Sequence, residues 1–459
     1  MKLTFLGAVG TVTGSRFAVS TPAGTVLVDC GLFQGPRQIR ERNWADFPLN
    51  PADISAVVLT HAHLDHCGYV PALVRDGFTG PIYATPNTAA LAAIVLRDSA
   101  KLQEEDTDFA RRKGFSRHAE PRPLYGLEDA EQAIAQFRVV EFRTDVSPVP
   151  GVTVRFDPAG HILGSSIVTV SDGIRTIVFS GDLGRDNHPL LRPPSPPDGA
   201  DVVVLESTYG DRVHEETDAE IELLAQAITR TIKRKGTVVI PAFAVDRTEV
   251  LLKALHDLQD TNRIPKVPIH VDSPMALAAM RVYREAITDG DAELLTAAVA
   301  QGPDIIDPQN LFEATTPDES KRLDTGGARI ILSASGMGSG GRVVHHLKAL
   351  LPDPDNTVIL AGYQAVGTPG RALLDGAREL KFHGEYVKVR AEIVDIGAFS
   401  VHADADELME WLTSTRERPR EVFIVHGEPQ ASAALAQRIE DELDLIAVVP
   451  DLGERVTIQ

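Results

Sequence analysis

The sequence predicts an α/β sandwich, and two observations support that fold class. Short β-rich runs alternate with helical patterns along the whole chain, which is typical of α/β proteins. Polar residues suited to metal or phosphate chemistry directly follow several of these runs, and α/β proteins collect functional groups at the ends of strands. The chain has 459 residues, more than one core usually serves. We therefore expect two domains, or one domain with a large insertion.

The strand-like runs form two series along the chain. The first 10 residues read as a strand and a Gly turn, and the first series continues with residues 25–28, 56–59, 152–156, 176–179 and 202–205. The Pro-rich segment 192–197 within it is typical of a surface connection. The second series contains residues 237–240, 330–332 and 358–360, with a helical pattern at Val250, Leu251, Leu255 and Leu258. It is followed by runs at 387–394 and 422–425.

These series predict the domain boundaries. We expect the first domain to occupy residues 1–208, the second domain residues 209–382, and the C-terminal part of the first domain residues 383–459. The second boundary is drawn at the turn signal Phe382-His383-Gly384.

Composition limits the classes of protein that fit. The formal net charge of -20 excludes a protein that coats nucleic acid through its overall charge, although it leaves room for a local basic groove. Two basic stretches are candidates for such a groove, or are simply solvated faces: Arg111-Arg112-Lys113 with Arg117 and Arg122, and Lys233-Arg234-Lys235.

The compartment is predicted from three features. The N-terminus lacks the features of a signal peptide, and no segment reaches the apolar length of a membrane span. Cys30 and Cys67 are too few for a disulfide scaffold and read as small buried groups in a reducing environment. We therefore expect a cytoplasmic protein that does not associate with membranes.

The most informative motif is His61-Ala62-His63-Leu64-Asp65-His66, at the exit of the run 56–59. Imidazole and carboxylate ligands together suit zinc and its neighbours, and His161 could complete a three-imidazole zinc face with His61 and His63. Single histidines at strand ends are usually only hydrogen-bonded, so His161 gains its interest from the motif. This pattern predicts a metal site.

A second ion is predicted beside the first. Asp65 and His66 would face it together with His426, and Asp182 would bridge the two ions. Two ions that share a water generate hydroxide near neutral pH, so the bridging hydroxide would be the nucleophile of a hydrolytic site. Asp29 is better assigned to orienting the ligands through hydrogen bonds. The predicted cofactors are thus two Zn²⁺ ions per chain, although manganese or iron would fit the same ligands.

These residues resemble the five motifs of the metallo-β-lactamase superfamily, namely Asp29, the HxHxDH run, His161, Asp182 and His426. Three further motifs resemble its β-CASP nuclease branch: Glu206 in Glu206-Ser207-Thr208-Tyr209-Gly210, His402 in Phe399-Ser400-Val401-His402-Ala403-Asp404, and His426 in Val425-His426-Gly427-Glu428. The resemblance covers essentially the whole chain. It extends to bacterial and archaeal proteins similar to the cleavage-and-polyadenylation nuclease, through Asp29-Cys30-Gly31-Leu32-Phe33-Gln34-Gly35, residues 98–106 and 362–371.

The resemblance implies a four-layered αββα sandwich with a β-CASP domain inserted after Glu206. It implies an RNA substrate, because a histidine at the final motif goes with RNA-processing members. It also implies that His402 contacts the scissile phosphate or protonates the leaving oxygen, with Glu206 hydrogen-bonded to it. An imidazole with a carboxylate partner suits a general acid near pH 7. A homodimer is the oligomeric state that the resemblance suggests.

A Gly-rich loop at residues 333–342 is similar to a family loop but shifted relative to it. Its Ser335 and Gly336 could hold a substrate phosphate through backbone N–H groups, or the loop could be a plain tight turn. Arg342 and Arg371 would add positive charge. The chance GxGxxG spacing of Gly336, Gly338 and Gly341 lacks the acidic residue that a nicotinamide site needs.

The sequence therefore predicts a two-zinc ribonuclease that cuts single-stranded RNA internally. Three alternatives remain at this point: a 5′ to 3′ exoribonuclease, a thioester or lactam hydrolase, and a non-catalytic RNA-binding subunit. An insertion of roughly 170 residues speaks against a small substrate, which needs no second domain. The full set of expected ligands speaks against a non-catalytic subunit.

Overall fold

A computed structural model describes residues 1–113, 121–215, 217–325, 327–382 and 384–459. Its strands, in chain order, are β1 (Lys2–Phe5), β2 (Phe17–Thr21), β3 (Gly24–Val28), β4 (Ile54–Val58), β5 (Ile82–Ala84), β6 (Phe137–Val139), β7 (Val146–Val149), β8 (Val152–Pro158), β9 (Ser166–Ser171), β10 (Thr176–Phe179), β11 (Val202–Glu206), β12 (Thr237–Pro241), β13 (Ile269–Val271), β14 (Leu311–Glu313), β15 (Arg329–Ser333), β16 (Thr357–Ala361), β17 (Glu379–Phe382), β18 (Glu385–Lys388), β19 (Glu392–Ile396), β20 (Glu421–Val425), β21 (Ile446–Val448) and β22 (Arg455–Thr457).

The helices, in chain order, are α1 (Arg37–Arg40), α2 (Leu64–Cys67), α3 (Val70–Arg75), α4 (Pro86–Lys113), α5 (Leu127–Ala135), α6 (Thr217–Lys233), α7 (Arg247–Asp260), α8 (Pro274–Asp289), α9 (Thr296–Gln301), α10 (Pro317–Leu323), α11 (Arg342–Leu350), α12 (Pro369–Leu374), α13 (Ala405–Thr413) and α14 (Pro429–Leu443). None of these helices, as far as the chain is described, combines the length and apolar character that crossing a bilayer would require.

The chain divides into two compact units, Met1–Val213 with His402–Gln459, and His214–Val401. In the described part of the first unit, two seven-stranded sheets have the orders β22-β1-β2-β3-β4-β5-β6 and β21-β20-β11-β10-β9-β8-β7. The C-terminal segment completes both sheets, because β20 pairs parallel to β11 and β22 pairs antiparallel to β1.

The two sheets of the first unit enclose its main core. Buried Phe5 and Val28 from one sheet pack in the same cluster as Phe156 and Phe179 from the other. A second cluster joins the far face of the second sheet to helices α13 and α14. On the first sheet, α4 contacts β6, and α5 packs against both α3 and α4. The layers thus run helix, sheet, sheet, helix, as the αββα prediction required.

The second unit is built on a parallel sheet. Its strands, among the described residues, have the order β14-β13-β15-β12-β16-β19, and β17 and β18 form a separate antiparallel hairpin. Buried aliphatic side chains of β12, β15 and β16 explain why these strands read as unbroken apolar runs in the sequence.

The unit boundaries differ from the predicted ones, above all at the C-terminal side of the second unit. That unit extends through Val401, because β19 pairs parallel to β16 of its sheet. The run at 387–394 belongs to two separate sheets, since the backbone N–H groups of Arg390 and Ala391 both donate to the Leu351 carbonyl between β18 and β19. The predicted turn residue His383 lies outside the described residues.

Candidate metal centre

The HxHxDH loop leaves β4 and is held by backbone hydrogen bonds from two other segments. Ser15 N donates to the Asp65 carbonyl at 2.8 Å, and Cys30 N donates to the His66 carbonyl at 2.8 Å. Gly31, which directly follows Cys30, allows this close approach, because a Cβ there would stand 1.6 Å from the Asp65 carbonyl oxygen. The glycine of the Asp29-Cys30-Gly31 motif therefore positions the loop that carries the histidines.

Four side chains form a first candidate ligand group, His61, His63, His161 and Asp182. His63 Nδ1 lies 3.1 Å from His61 Nε2 and 3.2 Å from His161 Nε2. Asp182 Oδ2 lies 3.4 Å from His61 Nε2 and 3.7 Å from His161 Nε2. One potential ligand atom from each residue lies within 4.8 Å of the others. Three imidazoles and a carboxylate are a donor set typical of zinc sites.

A second group consists of Asp65, His66 and His426, whose potential ligand atoms also lie within 4.8 Å of one another. His66 Nε2 is 3.3 Å from His426 Nε2, and Asp65 Oδ2 is 3.7 Å from the same nitrogen. Asp182 connects the groups. Its Oδ1 faces His66 Nε2 at 3.2 Å and His426 Nδ1 at 3.4 Å, whereas its Oδ2 faces the first group.

The electrostatics of the site fit bound cations. Burial lowers the pKa of His61 well below its usual value and lowers the pKa of His63 to about 4, so both rings are neutral, as metal ligands must be. Burial acts to raise the pKa of Asp182, but the charges of His426, His66 and His61 outweigh it and hold that pKa well below the usual range. Buried Asp182 Oδ1 has no well-aligned hydrogen bond within the described part of the chain, although His66 Nε2 lies 3.2 Å away.

In the second group, protons on the histidines balance the negative charge of the carboxylates. Burial acts to lower the pKa of His66 and of His426, but nearby carboxylates, above all Asp182, raise both values. Metal ligands have to be deprotonated, so a bound cation would replace these protons and keep the charge balanced. The residues present therefore fit two metal ions.

Asp29 lies behind the second group. Its Oδ2 is 2.7 Å from His66 Nδ1 and accepts from Thr60 Oγ1 at 2.8 Å, while its Oδ1 accepts from Thr60 N at 2.8 Å. Asp29 follows β3 in the left-handed region, with φ of 58°, a conformation that is tolerated where surrounding contacts fix it. The carboxylate can thus fix the orientation of the His66 ring.

His402 and Glu206 form a pair next to Asp182. His402 Nδ1 lies 3.2 Å from Glu206 Oε2 and 3.9 Å from Asp182 Oδ2. Glu206 is fully buried at the end of β11, and its Oε1 accepts from Leu183 N at 2.6 Å. The His402 side chain keeps 15% of its surface exposed, while the side chains of His61 and His161 have none exposed.

The Gly-rich loop residues Ser335 and Gly336 and the arginines Arg342 and Arg371, predicted to hold a substrate phosphate, belong to the second unit. Ser335 Oγ accepts from Ser339 N at 3.0 Å, and the Gly336 carbonyl accepts from Gln364 Nε2 at 3.2 Å. Both predicted arginines have partners. Arg342 donates to Asp272 Oδ1 at 2.5 Å, and Arg371 Nε donates to Asp375 Oδ1 at 3.0 Å. Their contact with substrate stays a prediction.

Two arginines of the basic stretches singled out in the sequence form internal ion pairs. Arg111 pairs with Asp108 at 3.2 Å, and Arg234 pairs with Glu392 at 3.0 Å and also donates to the Asp355 carbonyl. Arg117 lies outside the described residues.

Sequence reasoning missed the hydroxyl groups that surround the histidines. Ser15 Oγ lies 3.3 Å from His66 Nε2, Thr60 Oγ1 lies 3.1 Å from His61 Nδ1, and Thr208 Oγ1 lies 3.2 Å from His426 Nδ1. Two of them could have been found by their closeness in sequence to motif residues, because Thr60 directly precedes the HxHxDH run and Thr208 follows Glu206 by two residues. Ser15 gave no such signal.

Buried histidines and aspartates at the strand exits of an αββα sandwich are typical of metallo-hydrolases, and the fold and the site together indicate that class. Family models match in the same arrangement: the metallo-beta-lactamase superfamily at residues 12–242, the Beta-Casp domain at 248–373, and the Zn-dependent metallo-hydrolase RNA specificity domain at 386–450. The chain belongs to the β-CASP branch of the metallo-β-lactamase superfamily.

Similar proteins extend over nearly the whole chain. A ribonuclease of Thermus thermophilus is 36% identical over 438 residues, which cover 95% of each protein. The transcription termination factor FttA of Methanosarcina mazei is 32% identical over 467 residues, 97% of this chain and 70% of that protein. A crystal structure of an Enterococcus faecalis protein of unknown function aligns with a TM-score of 0.56 at 13% identity, covers 99% of both chains, and supports the fold alone.

Proposed function

We propose that this protein is a two-zinc ribonuclease that cleaves single-stranded RNA at internal phosphodiester bonds. One observation carries the two-metal part of the proposal: the two oxygens of buried Asp182 face different histidine groups, His61 and His161 on one side and His66 and His426 on the other. The ribonuclease from Thermus and the match to an RNA specificity domain support RNA as the substrate.

The first ion would be held by His61, His63 and His161, the second by Asp65, His66 and His426, and Asp182 would contact both. When bound, two such ions supply Lewis acidity that activates water and offsets charge on phosphate oxygens. Asp29 would keep the His66 ring oriented, since it accepts from Thr60 and faces His66 Nδ1 at 2.7 Å.

His402 is the residue that we assign to proton transfer. Its Nδ1 faces Glu206, so Nε2 is the nitrogen that would donate to the leaving oxygen. A fully buried carboxylate at 3.2 Å fixes the orientation of the His402 ring. Partial exposure of His402 is consistent with contact to a substrate that enters from solvent.

Single-stranded RNA suits this assignment better than a duplex, because cleavage at a buried metal pair requires that one strand be separated from its complement. Buried Cys30 and Cys67, both free thiols, fit a reducing compartment, and we propose the cytoplasm. A homodimer stays a prediction that analytical ultracentrifugation tests.

The first experiment incubates the zinc-loaded protein with a 5′-labelled unstructured RNA and its DNA counterpart, and resolves the products by length. We expect labelled RNA fragments of intermediate lengths from the native protein. Asp65→Ala should abolish them and lower the bound zinc, whereas Asp46→Ala, a change at an exposed aspartate outside the motifs, should do neither.

Other product patterns would contradict parts of the proposal. Release of labelled mononucleotides alone would replace the internal mode by a 5′ to 3′ exonuclease. Equal cleavage of DNA would remove the RNA assignment. Full metal content without any cleavage of RNA would overturn the ribonuclease proposal.

A further inference from the structure

The β17–β18 hairpin in the second unit carries an unusual solvent-facing surface. Lys381 lies opposite Tyr386, and Glu379 lies opposite Lys388, in the antiparallel register. Arg378 precedes β17 and Arg390 follows β18. All of these side chains are exposed. Glu379, Lys381, Tyr386 and Lys388 share one side of the hairpin, and we call them, together with the flanking Arg378 and Arg390, the outer hairpin face.

The fold itself does not require this surface. The alternate residues Phe382 and Val387 are buried in the same cluster as Leu347, Leu360 and Leu373, so the hairpin is anchored through its inner side. Because side chains of a strand alternate between faces, the residues of the outer hairpin face can change without loss of that packing.

The cations of the outer hairpin face form no ion pair among the described residues, although Glu379 lies opposite Lys388 in the register. Within the described ranges, no ion pair joins Arg378, Lys381, Lys388 or Arg390 to a carboxylate within 4.0 Å, whereas Glu385 on the same hairpin pairs with Lys348 of α11 at 2.7 Å. This contrasts with Arg111 and Arg234 in the basic stretches, which do pair. Four such cations within 13 residues are a local exception in a chain of net charge -20.

An aromatic ring stands among these cations. Tyr386 is 67% exposed, and Lys381 Nζ lies 5.4 Å from the centre of its ring. An exposed tyrosine opposite a lysine is by itself an ordinary cross-strand pair. An exposed ring flanked by cations without carboxylate partners is the arrangement by which proteins bind single strands, with a base stacked on the ring and phosphates beside the cations.

We propose that the outer hairpin face binds a segment of single-stranded RNA, with a base stacked on Tyr386 and backbone phosphates contacted by Lys381, Lys388 and the flanking arginines. This proposal rests on the proposed function for the identity of the polymer, but it concerns binding and not cleavage. A docked second copy of the chain fits less well, because one aromatic ring among charges gives little of the apolar centre that protein interfaces need.

The test measures binding of a fluorescent oligouridine to the full-length protein by anisotropy, with chelator present so that no cleavage interferes. Tyr386→Ala should weaken binding about 5- to 150-fold, the range for loss of one base–aromatic stack. Tyr386→Phe should keep the native affinity, since stacking needs the ring and not the hydroxyl group. Retained affinity in Tyr386→Ala would overturn the proposal.

The charged residues are tested through salt. Lys381→Gln with Lys388→Gln should reduce the slope of log affinity against log salt by about 1.4, two phosphate contacts at about 0.7 each. The control pair, Lys266→Gln with Lys321→Gln, removes the same charge from exposed positions of the same unit and should leave the slope unchanged. Equal slopes for both double variants would contradict the proposal.

Two further readouts distinguish RNA binding at the outer hairpin face from self-association and from cleavage. A change of oligomeric state in Tyr386→Ala would assign the face to a copy of the chain and overturn RNA binding there. If the native protein binds oligouridine through this face but cleaves no RNA when zinc-loaded, the proposed function fails while the binding inference stands.

Discussion

The pairing of Glu206 with His402 predicts that these two residues act as one unit. Glu206→Gln keeps an oxygen that can accept from Leu183 N but removes the charge that faces His402 Nδ1. We expect Glu206→Gln and His402→Ala each to lower the cleavage rate about 10²- to 10⁴-fold, with the zinc content unchanged. The measurement is single-turnover cleavage of RNA beside metal analysis.

The double variant gives the sharper comparison. If Glu206 acts through His402, Glu206→Gln should have almost no further effect in the His402→Ala background. A multiplicative loss would mean that Glu206 has a separate function, for instance at the metals, since its carboxylate also lies close to Asp182 and His426. A wild-type rate in His402→Ala would remove the proton-transfer role.

How much of the site can be predicted depends on the residue. The HxHxDH run is recognisable in the sequence, because four metal-competent side chains occur within six residues. The opposite pKa shifts of neighbouring His63 and His66 could not be predicted, because burial in the folded chain lowers the pKa of His63, whereas Asp182 and Asp29, brought from elsewhere in the chain, raise that of His66. Ser15 was missed for the same reason, since only the folded backbone carries its hydroxyl to His66.

At the scale of elements, a buried charge network joins β13, α10 and α11 of the second unit. His346 Nε2 lies 2.7 Å from Asp272 Oδ2, and His346 Nδ1 lies 2.6 Å from Asp324 Oδ1. Asp272 also accepts from Ser320 and Arg342. The Arg342 that the sequence suggested as a phosphate ligand thus has a structural partner, and no spacing rule could have indicated it.

This network predicts how stability depends on pH. Burial acts to lower the pKa of His346, but the bonds to Asp272 and Asp324 outweigh it and raise the pKa to about 9. A histidine whose pKa is higher in the folded than in the unfolded chain stabilises the folded state. That contribution is fully present below about pH 6.5 and disappears as the pH rises through about 9. It amounts to an energy on the order of 3 kcal/mol.

The measurement compares denaturant unfolding of the native protein and His346→Gln between pH 6 and about 9.5, on either side of the two values. Glutamine carries no proton to lose, so the stability difference between the two proteins should shrink as the pH rises. A pH-independent difference for His346→Gln would show that the ring contributes through packing alone.

The sequence runs predicted the elements well where both sheet faces are covered, as in β10, which matches the expected residues 176–179. Prediction failed where a single apolar run serves two sheets. Residues 387–394 include the end of β18, which pairs with β17, and the start of β19, which pairs with β16. The break depends on a carbonyl of Leu351, which is distant in sequence.

At the scale of the whole molecule, the predicted metal ligands and both tryptophans lie in the first unit. Trp44 is exposed, and Trp411 is buried in the cluster beside the second sheet, where its indole N–H donates to the Ser195 carbonyl at 2.9 Å. The second unit has its own buried clusters. Tryptophan fluorescence therefore reports the unfolding of the first unit, whereas circular dichroism reports both units.

Removal of zinc should therefore destabilise one unit and not the other. A ligand that binds only the folded state at about a hundredfold excess over its Kd adds about 2.7 kcal/mol per site. For a unit of this size, each kcal/mol corresponds to about 2–4 °C in Tm, so chelation should lower the fluorescence transition by at least about 5 °C. A second transition, visible in circular dichroism but not in fluorescence, should stay in place.

The Asp65→Ala variant supplies the matched control, because it removes a ligand of the second group only. Its fluorescence transition should lie between those of the zinc-loaded and chelated native protein, and chelation should lower it further as the first group empties. A transition already equal to that of the chelated protein would mean that the two groups bind metal as a single site, which would contradict the separate ligand sets on either side of Asp182.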